Sequence, residues 1–186
     1  MAKRAFVVAD WRKDRIGSAE RGENPLVLAR MRSGFAVMGD TQFLPGYCLL
    51  LAAPGVVHLS DLPLEQRGIY LQDMSVLGEA IMEVCQPLRI NYEILGNSLP
   101  LLHTHLFPRY EWEDERHKYG PVWDYIQEYW DAREYEYAEE IHGELKKNIS
   151  EVLHDLMEQY GIIPEKPGDA ADSDTRPPLL HHPQSA

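Results

Sequence analysis

Asn91-Tyr92-Glu93-Ile94-Leu95-Gly96-Asn97-Ser98-Leu99-Pro100-Leu101-Leu102-His103-Thr104-His105-Leu106-Phe107-Pro108-Arg109 reads as strand, turn and strand. Residues 89–95 form the first strand, Gly96-Asn97-Ser98 turns the chain, and residues 101–107 run back to a stop at Pro108. So short a turn implies an antiparallel pair. Side chains alternate along a strand, so Leu101, His103, His105 and Phe107 share one face and Leu102, Thr104 and Leu106 the other. The two imidazoles then stand about 7 Å apart on one surface. One can attack a phosphorus while the other donates a hydrogen bond to a phosphoryl oxygen. Gly96-Asn97-Ser98 can offer backbone N–H groups and a hydroxyl to the same anion. The pair is also compatible with zinc, for which Cys48, Cys85 and His58 are not obviously placed as a third ligand.

Upstream, residues 35–38 and 47–52 read as two further strands joined through the turn Leu44-Pro45-Gly46. Asn24 before Pro25 reads as the start of a short helix over 25–32. Tyr70, Met74, Leu77, Ile81, Val84 and Leu88 recur at steps of three and four, which predicts an amphipathic helix over 64–85. Residues 1–23, polar and mixed around Trp11, read as an arm or ordered loop outside the core. Beyond Glu113 the text becomes charged and aromatic. Ile141, Leu145, Ile149, Val152, Leu156 and Tyr160 mark a helix that Gly161 and Pro164 end. The domain plan is an arm over 1–23, a domain over 24–125, a helical acidic extension over 126–163 and a disordered tail over 164–186.

The 186 residues carry 30 Asp and Glu against 18 Lys and Arg, for a net charge of −12. Residues 1–110 are balanced, with 11 of each sign, and residues 111–186 hold 19 acidic against 7 basic side chains. Such a chain is poorly suited to nucleic acid or an anionic membrane, while a small anionic ligand stays compatible with the neutral half. No apolar run reaches the roughly 20 residues of a membrane span, and the N-terminal apolar stretch is too short for a signal peptide. Cys48 and Cys85 form neither a disulfide framework nor a close-spaced metal motif. A cytoplasmic protein is expected.

The segment around His103 resembles the signature of the histidine triad superfamily, His-φ-His-φ-His-φ-φ, here followed by Pro108-Arg109. Val37-Met38-Gly39-Asp40, Gln42-Phe43-Leu44-Pro45-Gly46-Tyr47 and His58-Leu59-Ser60-Asp61-Leu62 match in the same order, so the similarity spans about 24–125. The resemblance implies an α+β fold: an antiparallel sheet of about five strands with two main helices, paired as a homodimer. It implies that His103 is the nucleophile at the α-phosphate of a nucleotide, forming a nucleotidyl-histidine, and that His105 binds the phosphoryl group. Asn97 and Ser98 would contact phosphate, Asp40 the ribose hydroxyls, and Asn91 would orient the site. No cofactor and no metal are implied. Two positions depart from the pattern: Leu101 replaces the first histidine, and Gly55 stands where a further histidine is often found.

Arg109 at the strand end is within reach of a phosphate, or else pairs with the acidic C-terminal half. Arg12, Arg15 and Arg21 are candidates for the ligand entrance, Trp112 and Trp123 for stacking on a base or for packing, and His181-His182 carries no assigned role. The expected activity is that of a nucleotide hydrolase or nucleotidyl transferase. Its substrate would be a dinucleoside polyphosphate, a nucleoside phosphoramidate or an adenylated metabolite. The alternative is a nucleotide-binding protein with weak or lost catalysis, and a structural zinc protein is a third reading.

Overall fold

The computed structural model describes residues 11–97 and 99–164; all but Pro164 of the expected tail over 164–186, with His181-His182, and Ser98 lie outside them. Among the described residues, a single sheet holds β1 (Val27–Arg30), β2 (Gly34–Met38), β3 (Cys48–Ala52), β4 (Arg89–Glu93) and β5 (His103–Arg109). The spatial order is β1-β2-β3-β5-β4 and every pair is antiparallel. The helices are α1 (Arg15–Glu20), α2 (Leu64–Cys85), α3 (Glu115–Tyr119), α4 (Gln127–Asp131) and α5 (Glu139–Gln159). The expected α+β architecture, a five-stranded antiparallel sheet with two long helices, is what the chain adopts.

The alternation along β5 divides the molecule. Leu102 and Leu106 enter a core shared with Leu50 of β3, Tyr70, Leu77 and Ile81 of α2, and Ile149, Leu153 and Leu156 of α5. Thr104 points the same way, within 2.8 Å of Tyr70 Oη, which also donates to the Leu50 carbonyl. Phe107, on the other face, joins Phe43, Leu44, Tyr47, Tyr110, Val122 and Tyr125. Helix α2 packs against both the sheet and α5, so it is apolar on more than one side. At Gly78 a Cβ would fall 2.0 Å from Tyr92 Oη, and only glycine allows that approach to β4. Asp73 is buried on α2 and accepts from Arg32, from Ser33 N–H and from the Ser33 hydroxyl, which fastens the helix to the β1–β2 hairpin.

Three expectations change. The segment 25–32 is a strand where a helix is predicted. Asn24 Oδ1 accepts from Leu26 N–H, two residues on, in a turn that Val27 N–H closes on the Asn24 carbonyl at 3.4 Å. Pairing of Val27, Ala29 and Arg30 with β2 then settles an eight-residue run that periodicity alone leaves ambiguous. Second, residues 11–21 are ordered on the body: α1 is capped by Asp14, which accepts from Gly17 N–H at 3.0 Å, and Ala19 enters the main core. Third, β5 begins at His103 and runs through Pro108 to Arg109. Pro108 lacks an N–H on the side where pairing with β3 has already ended at Leu106, so no ladder bond is lost.

Candidate functional site

Residues facing away from α2 build a pocket of about 590 Å³, inside the ~300–1,000 Å³ usual for small-molecule sites. Its floor is a row that crosses the sheet, in which Val37 pairs with Leu49 and Leu49 with His105. His103 and His105 stand at its centre, with Asp40 and Thr41 beyond β2 and Asn97 beyond β4. Gly96 takes a left-handed φ of +69° and turns the chain there.

The histidines are held in a hydrogen-bonded ladder. His103 Nδ1 lies 2.6 Å from the Leu101 carbonyl, which can only accept, so Nδ1 carries the proton. In neutral His103, Nε2 then holds a lone pair. His105 Nε2 lies 3.1 Å from it and must be the donor. His105 Nδ1 is left to accept from the Tyr47 hydroxyl at 2.6 Å. Burial, followed by the proximity of His103, pushes His105 down to about 4, so its ring is neutral near pH 7. Burial pushes the Tyr47 hydroxyl up, which keeps it protonated as the donor. Phe107 stacks on Tyr47 at 4.3 Å and lies parallel to His105 at 5.5 Å, which fixes the ladder's plane.

The two departures from the triad pattern prove to be neighbours. A Cβ on Gly55 would meet Leu101 Cδ1 at 3.1 Å and Ile16 Cδ1 at 3.5 Å. Leu101 therefore packs against the loop after β3 and near α1, while its carbonyl keeps hold of His103. The tautomer of His103 depends on main chain at residue 101, and the identity of that side chain does not alter it.

Asp40 is engaged by Arg15 of α1, which donates to Oδ1 at 2.9 Å through one nitrogen and to Oδ2 through another. Thr41 lines the same end, and its Oγ1 is buried with no hydrogen-bond partner among the described residues. Of the three candidate arginines, Arg15 lines this pocket, Arg12 lines a smaller cavity of about 200 Å³ that also borders Asp40, and Arg21 bonds to Asp14 and Glu23.

Asn91 and Arg109 do not line the pocket. Arg109 is only 1% exposed; it donates to both carboxylate oxygens of Glu113, to Asn91 Oδ1 and to the Gly120 and His117 carbonyls. Its expected reach to phosphate gives way to a structural lock, because its donors are spent holding residues 113–120 against β5. Trp112 stacks on Tyr110 away from the pocket, whereas Trp123 lines it together with Trp130. Tyr47, Thr41 and Trp130 were not legible as site residues, since nothing local sets them apart from core residues. Among the described residues, no group of three His, Cys, Asp or Glu side chains is arranged to hold a metal ion.

Neither a protein-family model nor a curated protein matches the sequence. Solved structures do. A histidine triad protein from Marinobacter aquaeolei VT8 is 26% identical, with a TM-score of 0.57 over 70% of this chain and 89% of that one. One from Sinorhizobium meliloti 1021 is 20% identical, with a TM-score of 0.57 over 71% of this chain and 93% of that one. A hypothetical histidine triad nucleotide-binding protein from Sulfolobus tokodaii is 13% identical, with a TM-score of 0.60 over 81% of this chain and 98% of that one. The five-stranded sheet with its paired histidines on β5 is thus the histidine triad fold, as the segment 91–109 suggested.

Proposed function

We propose that the protein is a nucleotide hydrolase or nucleotidyl transferase acting at the α-phosphate of its substrate through a nucleotidyl-histidine, as a cytoplasmic homodimer. The observation that carries this reading is the ladder from Tyr47 to the Leu101 carbonyl, which in neutral His103 places the Nε2 lone pair on the pocket wall. An imidazole in that state is a nucleophile at neutral pH. The position of β4 at the sheet edge, with Tyr92 exposed on it, supports self-association.

Binding replaces the His103–His105 contact with the phosphate. His103 Nε2 bonds to phosphorus, the bond from phosphorus to the leaving oxygen or nitrogen breaks, and the leaving group departs with a proton. His105 Nε2–H is the nearest donor, either to that group or to a phosphoryl oxygen. Water or a second acceptor then attacks the same phosphorus, the Nε2–P bond breaks, the proton lost by the acceptor replaces the one given to the leaving group, and the nucleotide is released. The Arg15–Asp40 pair and Thr41 Oγ1 receive the nucleoside; Asn97 and Ser98 contact phosphate, and Asn91 supports the site through Arg109. Catalysis by this route requires no metal at the histidines.

Intact-mass spectrometry tests it. The protein is mixed briefly with dinucleoside polyphosphates and nucleoside phosphoramidates and quenched under mildly alkaline conditions. One added nucleotidyl group is expected, with none in His103→Ala. Nucleotide binding with neither adduct nor released nucleotide would instead identify a binding protein, the outcome that the loss of the first histidine at Leu101 allows.

A further inference from the structure

Asp40 stands at the polar end of the pocket, just past β2, and its main-chain carbonyl is tied down by Tyr137 N–H at 2.8 Å. Its carboxylate is 40% exposed, and both oxygens accept from one guanidinium, that of Arg15. A two-point fork of this kind fixes the plane of a carboxylate as well as its position. The carboxylate has about four acceptor sites, so the fork leaves one on each oxygen for a ligand.

The fork is itself held. The Arg15 carbonyl accepts from the Ser18 hydroxyl at 3.2 Å and from the Asn24 side-chain amide at 3.4 Å, and Ser18 is fully buried. The guanidinium sits over the Trp11 ring, its carbon 5.4 Å from the ring centre. Ile16, the next residue, meets Leu101 around Gly55, where a Cβ would come within 3.5 Å of both. Helix α1 therefore reaches the pocket twice, at the residue whose carbonyl holds His103 and at the carboxylate of Asp40. An ion pair this exposed contributes little to stability, so the fold does not require the arrangement. A ligand gives it a use. The phosphate at the histidines is anionic, and the guanidinium offsets a carboxylate that would otherwise repel it.

We propose that Arg15 is a positioning residue that presents the outward acceptor sites of Asp40 to the 2′- and 3′-hydroxyls of the ribose, and so sets a preference for ribonucleotides over 2′-deoxyribonucleotides. This rests on the function proposed above, and it makes α1 a part of the site. Two neighbouring hydroxyls donate to both oxygens of a carboxylate only while its plane is fixed. A carboxylate free to turn makes one bond at the expense of the other, and the 2′-hydroxyl then counts for little.

Adenosine and 2′-deoxyadenosine 5′-phosphoramidates of one amine test the clamp. Wild-type kcat/KM should favour the ribose compound about tenfold or more, the scale of one hydrogen bond to a charged group. In Arg15→Gln the ratio should fall below about threefold, and Arg15→Lys, which keeps the charge without the fork, should lie between. Arg12→Gln, which removes a neighbouring cation bonded to Glu136, should keep the wild-type ratio. The clamp is overturned by a wild-type ratio near one, or by an Arg15→Gln protein that loses both substrates equally. It is also overturned by a wild-type ratio in Arg15→Lys, or by an Arg12→Gln effect as large as that of Arg15→Gln. Calorimetric Kd values of AMP and 2′-deoxy-AMP in His103→Ala protein read the same ratio without turnover. A tenfold Kd ratio that Arg15→Gln abolishes, in a protein that turns over neither phosphoramidate, would reject the transfer reaction and keep the clamp; equal Kd values would reject the clamp.

Discussion

His103 takes its tautomer from a carbonyl, and this makes residue 101 the informative position. A side chain at 101 can change from imidazole to isobutyl while the oxygen 2.6 Å from His103 Nδ1 stays in place. The next residue in the ladder, His105, gives a prediction with a definite sign. Above pH 6.5, the ordinary value, its ring is neutral both folded and unfolded. Between 6.5 and its folded value of about 4, the unfolded chain binds the proton and the folded one does not. Stability is therefore lost as pH falls through that window, on the order of 2 kcal/mol from this group. Urea midpoints at pH 7 and 4.5 should drop less in His105→Gln than in wild type; equal drops would place the acid sensitivity elsewhere. The sequence made His103 and His105 visible because a His-x-His spacing on one strand is local. Tyr47, which donates to His105, lies 58 residues away and is indistinguishable from any strand aromatic until β3 and β5 are paired.

At the scale of elements, legibility followed length. Helix α2 declares itself through the periodic run of Tyr70, Met74, Leu77, Ile81 and Val84, and β2, β3 and β5 through apolar runs bounded by turn residues. The four residues of β1 could not, and their partner strand decides them. The segment after β5 is held by chemistry that no period encodes. Arg109 and Glu113 are both buried, and Glu113 also accepts from Tyr110 N–H and the Tyr125 hydroxyl. Burial pushes the Glu113 carboxyl up, but these donors together hold it below its usual value, so it is charged beside a charged Arg109. Glu113→Ala would leave the guanidinium unpaired in the interior, at a cost of about 3–5 kcal/mol. Chemical denaturation should read that loss, and a change below 1 kcal/mol would show that water reaches Arg109. The same substitution should loosen 113–130, and with it the Trp123 wall, so the response of tryptophan fluorescence to nucleotide should weaken as well.

For the whole molecule, the acidic C-terminal third has a role that composition did not suggest. It reads in sequence as an extension beside a complete domain, yet it covers both sheet faces. Residues 122–135 complete the aromatic cluster around Phe43 and Phe107, while α5 lays Ile149, Leu153, Leu156 and Met157 against α2 and β1. The helical stripe is shifted from the expected one: Ile141 and Tyr160 are exposed, and Leu153 and Met157 take up the buried face. Other ties cross the same boundary. Ser150 Oγ donates to the Leu28 carbonyl at 2.7 Å, Tyr137 N–H to the Asp40 carbonyl at 2.8 Å, and Gln42 N–H to the Tyr135 carbonyl at 2.7 Å. The last two fix the backbone beside Asp40 and Thr41, so the polar end of the pocket is anchored from the C-terminal segment. If the sheet and α5 form one cooperative unit, heat should unfold the protein in a single transition with coincident far- and near-ultraviolet signals. Ile149→Ala, at a fully buried position between α2 and β1, should lower that midpoint with a loss of about 2–5 kcal/mol. It should act on both signals equally. A first transition confined to α5, with the histidine pocket still binding nucleotide above it, would instead make the extension a separable cover.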